Sequence, residues 1–503
     1  MGTGNNIILQ NDYAALSSSH FIWTRNRDRW QFFYESYVGG DEYRNGNHLT
    51  RYQLETAEEY AHRIRNTPLD NHCQSVIQTY VSFLFREEPE REFYSWSGNP
   101  AVEAFLKDAD LEGRSLDAFM KQVSIWSSVF GHCWILMTKG NVGAQTLAQE
   151  LALGIRPYVN VLTPLIVSDW RWERQPNGVY ELVYFKYVEE VIDNLTTVKE
   201  WTRDVIRTSV LDENLKEVRR QSEEPNQLGI IPAILAYNQR SIAKDLGVSD
   251  LEDISDIQRQ IYNLTSEAEQ SIRLEGHPTL VVPPTAQLGS GAGAIIQIQD
   301  GMDPGLKPYF LSTDTGTIDS IYKSVDKLVE SIDRMSFTGG VRATATRTMS
   351  GIALETEFQL LNAKLSEKAD QMELAEEQMW RLFGLYQNME WQGEIEYPDS
   401  FNIRDDAREF SQLASAKSAA TAPEALRIID FRIRELLKDP TLYLTPELEP
   451  DTESEPEEEL SADAVSGAFT PHIMLDPTTG EQHMATTPEE HLRLAALGYT
   501  HLE

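Results

Sequence analysis

At 503 residues and 57.2 kDa the chain is too long for one compact core, so two or three substructures are expected, at least one of them elongated. A hydrophobic fraction of 41% with 10% aromatics suffices for folding, while the longest apolar runs, such as Ile230 to Tyr237, are far too short to span a bilayer, so a soluble protein is expected. There are 44 basic and 79 acidic residues, a net charge of -35; residues 439–503 hold 15 acids and one base, so the rest of the chain is acidic as well and tight wrapping of DNA is disfavoured.

Met1 to Gln10 has no basic n-region and no apolar h-region, and Asn6 stands where a myristoylation signal wants Ser or Thr, so no membrane targeting is expected. Phe21 to Tyr37 is rich in Trp and Tyr and carries Arg25, Arg27 and Arg29. A base-stacking surface is one reading; a packed helix with a basic rim is the plainer one, because no larger basic patch supports the first. Thr67-Pro68-Leu69-Asp70 reads as a Thr N-cap before Pro at the first helical position, followed by one apolar face of Leu69, Cys73, Val76, Ile77, Tyr80, Val81 and Leu84 that ends before Pro89. Asn99-Pro100 repeats the device, and Ser115 opens a helix with Phe119, Val123 and Trp126 that ends near Gly131. Cys73 and Cys133 each sit in an apolar segment, which excludes a disulfide framework and suggests two buried thiols in a reducing cytoplasm. His132 to Thr138 reads as a buried strand. Val159 to Tyr237 is β in pattern, with Trp170 to Arg174, a Pro176-Asn177-Gly178 turn and Val179 to Val188 forming a hairpin.

From Gly247 the character changes. Ser249-Asp250-Leu251-Glu252 is a capping box, and residues 250–275 contain no Gly or Pro while Leu251, Ile254, Ile257, Ile261, Leu264, Ala268 and Ile272 keep helical spacing. Such a helix is about 39 Å long. Gly276 and Pro278 end it, and a Gly/Pro-rich excursion to Thr317 holds strand-like pieces at Thr279 to Val282 and Ala294 to Ile298. A second long helix repeats Ile318, Ile321, Val325, Leu328, Ile332 and Met335 in a narrow stripe, with Asp319/Lys323 and Glu330/Arg334 as i,i+4 pairs beside it. A stripe that narrow predicts packing against neighbouring helices. Phe337 to Gly351 is a polar Gly/Thr-rich loop whose only charges are Arg342 and Arg347. A third helix then runs from Ile352 to Phe383, about 48 Å, with Leu354, Phe358, Leu361, Leu365, Met372, Met379 and Phe383 inward. Gly393 to Ile403 is strand-like and Asp406 to Leu437 helical. After Leu442 the chain is Pro/Glu-rich through Asp463 and expected to be disordered, and Ala468 to Leu502 reads as a short turn and helix. The whole pattern is α+β, mainly α.

No enzymatic motif appears. The Gly289-Ser290-Gly291-Ala292-Gly293 cluster lacks the Lys of a phosphate-binding loop and reads as a flexible loop; there is no H-E-x-x-H, C-x-x-C or G-x-S-x-G, and the ten histidines are dispersed. Asp405-Asp406 and Glu489-Glu490 are sequence neighbours that point apart on a helix, so neither forms a carboxylate dyad. No catalytic residue, metal ligand or cofactor is assigned.

The order of these parts resembles the portal proteins of tailed double-stranded DNA phages. The opening of the third helix, Met349-Ser350-Gly351-Ile352-Ala353-Leu354, is similar to the Ser-Gly-x-Ala-Leu of that family, and Asn226 to Tyr237 with Ile231-Pro232, and Arg51 to Pro89, are similar in kind. The resemblance covers about residues 20–440. It implies an α+β wing over 1–247, a first stem helix over 248–276, a clip over 277–317, a second stem helix over 318–337, a tunnel loop over 338–351, a long helix and strand over 352–404, a helical crown over 405–440 and an acidic linker with a terminal module over 441–503. It implies a channel-facing loop bearing Thr338, Gly339, Gly340, Arg342, Thr344 and Arg347, and stem packing through Ile254, Ile257, Ile261, Leu264, Ile321, Val325, Leu328 and Ile332. The implied assembly is a homo-oligomeric ring of about twelve subunits at one capsid vertex of the virion, formed in the host cytoplasm. Its implied partners are double-stranded DNA passing without sequence specificity, terminase, coat and scaffold proteins and head-tail adaptors, with no membrane. An acidic conduit suits transit, because it repels phosphates instead of gripping them. Two other readings stay open: a helical scaffolding or adaptor protein of a virion, and a hydrolase whose site is assembled from scattered residues.

Overall fold

The computed structural model describes residues 19–140, 153–212, 218–276, 279–282, 315–342, 351–398, 406–419, 423–436, 472–475 and 482–485, with single positions and short pieces between. It divides into two units, Met1–Ile403 and Arg404–Glu503.

The first unit begins with six helices: α1 Phe21–Val38, α2 Gly40–Asn45, α3 Ala57–Asn66, α4 His72–Leu84, α5 Pro100–Lys107 and α6 Leu116–Phe130. The caps at Asn99 and Ser115 form as expected, with their side-chain oxygens accepting from the backbone N–H of Ala101 and Ala118. The cap at Thr67 does not. Its hydroxyl donates to the Arg63 carbonyl at the end of α3, and Asn71 caps α4 instead by accepting from Gln74. The apolar face of α4 is nonetheless buried from Cys73 to Leu84. Helix α1 buries Trp23, Trp30 and Phe33, while Arg29 pairs with Asp256 and the Arg27 guanidinium lies over Trp23, so this segment is a packed helix. Cys73 and Cys133 are both buried free thiols, their pKa values raised by burial.

A three-stranded antiparallel sheet, β3-β2-β9, follows from β2 His132–Lys139, β3 Pro157–Leu162 and β9 Ala233–Tyr237. Trp134 at its centre is fully buried, which explains the unbroken apolar run of β2. Between β3 and β9 lies a five-stranded meander of β4 Val167–Arg174, β5 Tyr180–Ile192, β6 Leu195–Thr202, β7 Val205–Leu211 and β8 Val218–Pro225. The expected hairpin is its first pair.

The long helices are α7 Ile254–Gly276, α8 Thr315–Ser336 and α10 Gly351–Gln387, with a one-turn helix α9 Gly339–Arg342 after α8. Strands β10 Thr279–Val281 and β11 Tyr309–Leu311 pair antiparallel with Thr279 opposite Leu311, which brings the end of α7 to the start of α8 and sends α8 back along it. The expected strand Ala294 to Ile298 and the Gly289–Gly293 cluster lie outside the described residues. The capping box at Ser249 is replaced by a tertiary cap. Ser249 Oγ donates to the Val129 carbonyl at 2.6 Å and accepts from Leu251, and regular helix begins only at Ile254.

Helix α10 spans 37 residues, about 56 Å, and passes through Gly384. A Cβ there would sit 2.4 Å from the Met389 carbonyl oxygen and 3.0 Å from the Trp96 ring, so the glycine permits the chain to turn back tightly over the helix end. Strand β12 Glu394–Glu396 pairs with β1 Glu90–Glu92. Beneath that pair, Glu376 of α10 is fully buried and held by the Arg91 guanidinium at 2.6 Å, the Tyr397 hydroxyl at 2.7 Å and the Trp380 indole N–H at 3.1 Å.

The second unit holds two helices, α11 Asp406–Ala419 and α12 Pro423–Leu436, within the segment expected to be helical, with Pro423 at the first position of the second. Its end is a small sheet of β13 His472–Leu475, β14 Gln482–Ala485 and β15 Thr500–His501 in the order β14-β13-β15, where a turn and helix were expected. The Asp476-Pro477-Thr478-Thr479-Gly480 run is a turn signal between two short alternating segments, and it was the missed clue. The acidic stretch before it lies outside the described residues.

Candidate functional site

The polar centre of the first unit lies where α4, α8 and α10 meet the entry to α7. Helix α8 ends because Phe337 takes a left-handed backbone angle, φ 55°, after which the Thr338 carbonyl accepts from Val341 and Arg342 and closes the turn of α9. Ser336 and Thr338 are fully buried, their hydroxyls 2.6 Å apart, and the Tyr80 hydroxyl of α4 donates to the Ser336 carbonyl at 2.6 Å. Lys364 of α10 reaches the Tyr80 oxygen at 3.2 Å and Asp250 at 3.0 Å.

Asp250 is shared. Lys368, one turn further along α10, approaches its other oxygen at 2.5 Å and also donates to Ser128 Oγ of α6 at 2.8 Å and to the Asn238 side-chain oxygen. Burial would raise the Asp250 pKa, yet the two ammonium groups hold it at about 2. Burial lowers the Lys368 pKa, with Lys364 adding repulsion against the pull of Asp250, while for Lys364 the attraction of Asp250 outweighs desolvation and the pKa rises. The network thus ties both long helices, α10 and the β9 end into one buried joint.

Arg342 sits at the far edge of that joint. Its guanidinium donates to Asp333 Oδ1 at 2.9 Å, to Ser75 Oγ at 3.1 Å and to His72 Nδ1 at 2.8 Å, and His72 Nε2 lies 3.3 Å from Asp70. The hydrogen bond from His72 lowers the Asp70 pKa against partial burial, and the attraction of His72 and of Arg342 adds to it. No group of three or more His, Cys, Asp or Glu among the described residues could hold a metal ion. What the geometry does is fix Arg342, at the end of α9, to α4 and α8.

The model of the family described as "Phage portal protein, SPP1 Gp6-like" matches residues 20–410. The chain belongs to this portal family. No curated protein matches it. Among solved structures, this portal protein is similar to a chain in "Neck of empty GTA particle computed with C6 symmetry", at 10% identity over 78% of this chain and 99% of that one, TM-score 0.41. It is also similar to a chain in "Virion of native gene transfer agent (GTA) particle", at 9% identity over 79% and 98%, TM-score 0.40. A third likeness is to "Neck of native GTA particle computed with C12 symmetry", at 10% identity over 71% and 89%, TM-score 0.37.

Of the loop positions expected in the portal, Thr338, Gly339, Gly340 and Arg342 come together at the α8–α9 turn, whereas Thr344 and Arg347 lie outside the described residues. Gly339 and Gly340 are the first residues of a helical turn, with Gly339 buried. Arg342 is paired with Asp333 inside its own chain. The stem residues divide as well: Ile254, Ile261 and Ile332 are buried in the core, Ile257, Val325 and Leu328 pack on it half-buried, and Leu264 and Ile321 are half-buried beyond it. The stripe is therefore partly satisfied within one chain. The Lys364–Asp250–Lys368 joint was missed, and the signal was present: two lysines at i,i+4 on the otherwise inward face of α10.

Proposed function

We propose that the chain is the subunit of a closed ring at one vertex of a phage capsid, through which double-stranded DNA passes during packaging and ejection. In this reading α7 and α8 are the stem, residues 277–317 the clip, 338–351 the loop beside the channel, α10 the long helix leading towards the crown, and α11–α12 the crown, with terminase, coat, scaffold and head-tail adaptor proteins as partners and the host cytoplasm as the place of assembly. Membership of the portal family supports it. The structural observation that carries it is the unequal burial of the two long helices. Their inner ends are locked in the core, but towards the ribbon end Leu264 and Ile321 are half-buried, and Ile272 and Tyr322 remain 40% and 42% exposed. Apolar side chains left uncovered along paired helices are completed by helices of neighbouring copies, and head-to-tail contacts that close by rotation make rings.

Native mass spectrometry of the full chain tests this. The expected result is one closed species of about twelve subunits. A monodisperse monomer at micromolar concentration overturns the ring, and a dimer or trimer favours the adaptor reading.

A further inference from the structure

Helix α9 is a single turn, and a single turn does not hold itself. Its backbone bonds are those of the Val341 and Arg342 N–H groups to the Thr338 carbonyl, at 3.0 and 2.9 Å, too little to offset the ordering of the residues between them. Its geometry therefore depends on side-chain anchors. At its start Gly339 is buried; at its end the Arg342 guanidinium joins Asp333 of α8 to Ser75 and His72 of α4.

A guanidinium carries N–H donors and no acceptor. The 2.8 Å contact between Arg342 and His72 Nδ1 thus requires a lone pair on Nδ1, which makes His72 a neutral imidazole with its proton on Nε2. Nε2 in turn lies 3.3 Å from the Asp70 carboxylate. A second proton on His72 has one place to go, the nitrogen that Arg342 already occupies. It would turn Nδ1 from acceptor to donor and set an imidazolium against a guanidinium, with the two side chains only 7% and 11% exposed.

The charged and titratable groups around the contact pull in opposite senses. Asp70, before α4, faces the other nitrogen of the ring and favours the imidazolium. Asp333 of α8 holds the guanidinium where it is. Cys73, the next residue of α4, is a buried thiol whose pKa burial raises, so it stays neutral.

We propose that this contact is an acid-released latch: protonation of His72 expels Arg342 from Nδ1 and frees the turn Gly339–Arg342 from α4. In the latched form Arg342 bridges α4 and α8. In the released form His72 directs its charge to Asp70 and Arg342 keeps Asp333. The end of α8 stays in place in both, because Tyr80 holds the Ser336 carbonyl and the Ser336 and Thr338 hydroxyls bond each other. The latch is complete while His72 is neutral and is lost as pH falls through the range in which an imidazole ordinarily titrates, about 6.5.

Hydrogen exchange of the full-length protein, read by mass spectrometry and corrected for the intrinsic dependence of exchange on pH, tests this. Between about pH 7.5 and about pH 5.5 the Val341 and Arg342 amides are expected to lose about tenfold in protection, the equivalent of one hydrogen bond to a charged group. Peptides of α6 and β2, which report any global loss such as that from His132, should lose less. His72→Gln offers Arg342 an acceptor that takes no proton, and should keep the protection at both pH values. Asp70→Asn, at a side chain 79% exposed, removes the charge that favours the imidazolium and should move the release to lower pH. Equal protection of the parent at both pH values overturns the proposal, as does a loss that persists in His72→Gln or that α6 and β2 share in full. Release of Asp70→Asn at the parent's pH or above overturns it too.

Discussion

Arg342 donates to Asp333, Ser75 and His72 at once, and the Arg342 and Asp333 side chains are each only 11% exposed. Removing the guanidinium strands a carboxylate that burial has already stripped of water, which costs about 3 kcal/mol. Arg342→Ala is therefore expected to lower the denaturation midpoint clearly. A parent-like midpoint for Arg342→Ala would refute the structural role. His132 supplies a pH-dependent prediction. It is fully buried beneath Trp30, its Nδ1 accepting from the Gly247 N–H at 3.4 Å, and burial pushes its pKa down to about 3 from 6.5. Since the unfolded chain binds a proton below pH 6.5 and the folded one does not until about 3, this residue leaves stability flat above 6.5 and erodes it as pH falls through that window, by about 1.4 kcal/mol per unit. Thermal unfolding at pH 7.5 and 5 should show the loss in the parent, and a flatter response in His132→Gln.

Elements are placed by close contacts that periodicity does not reveal. A Cβ on Gly247 would lie 1.8 Å from the Gly131 carbonyl oxygen, and Gly131 itself has φ 88° where α6 turns into β2. Gly247→Ala must push two backbones apart, and a loss of about 3 kcal/mol is expected, read as a fall in melting temperature with secondary structure retained. A variant as stable as the parent shows that the crossing is not tight. The apolar faces of α4, α6, α7 and α10 were readable from sequence because burial imposes their period. Their ends were less so. Thr67 and Ser249 have the right chemistry for N-caps, but a preceding helix end takes the Thr67 hydroxyl and the end of α6 takes the Ser249 hydroxyl, and only tertiary structure decides that competition. The partners of Arg342 follow the same logic: His72 and Ser75 are some 270 positions away in sequence, so no local pattern announces them. The terminal sheet was hidden by strands of four and two residues, too short for alternation to stand out from a helical pattern.

At the scale of the whole molecule, charge is unevenly distributed along the chain. Residues 443–503 hold 14 acids and one base, and Thr445 to Asp463 has almost nothing apolar to bury. Such a segment gains little from packing, while every copy that joins a ring brings its charge close to that of the others. Truncation after Leu442 is therefore expected to leave ring formation and subunit number unchanged in native mass spectrometry. It should also alter the response to salt. Repulsion between tails is long-ranged when the screening length is about 30 Å, near 0.01 M salt, and shrinks when that length falls to about 8 Å near 0.15 M. The full-length ring should thus gain more thermal stability than the truncated ring over that range, because it carries the repulsion between tails in addition to that of the acidic body. Rings lost on truncation, or equal salt responses of the two proteins, would show that the tail takes part in assembly and is more than a charged appendage.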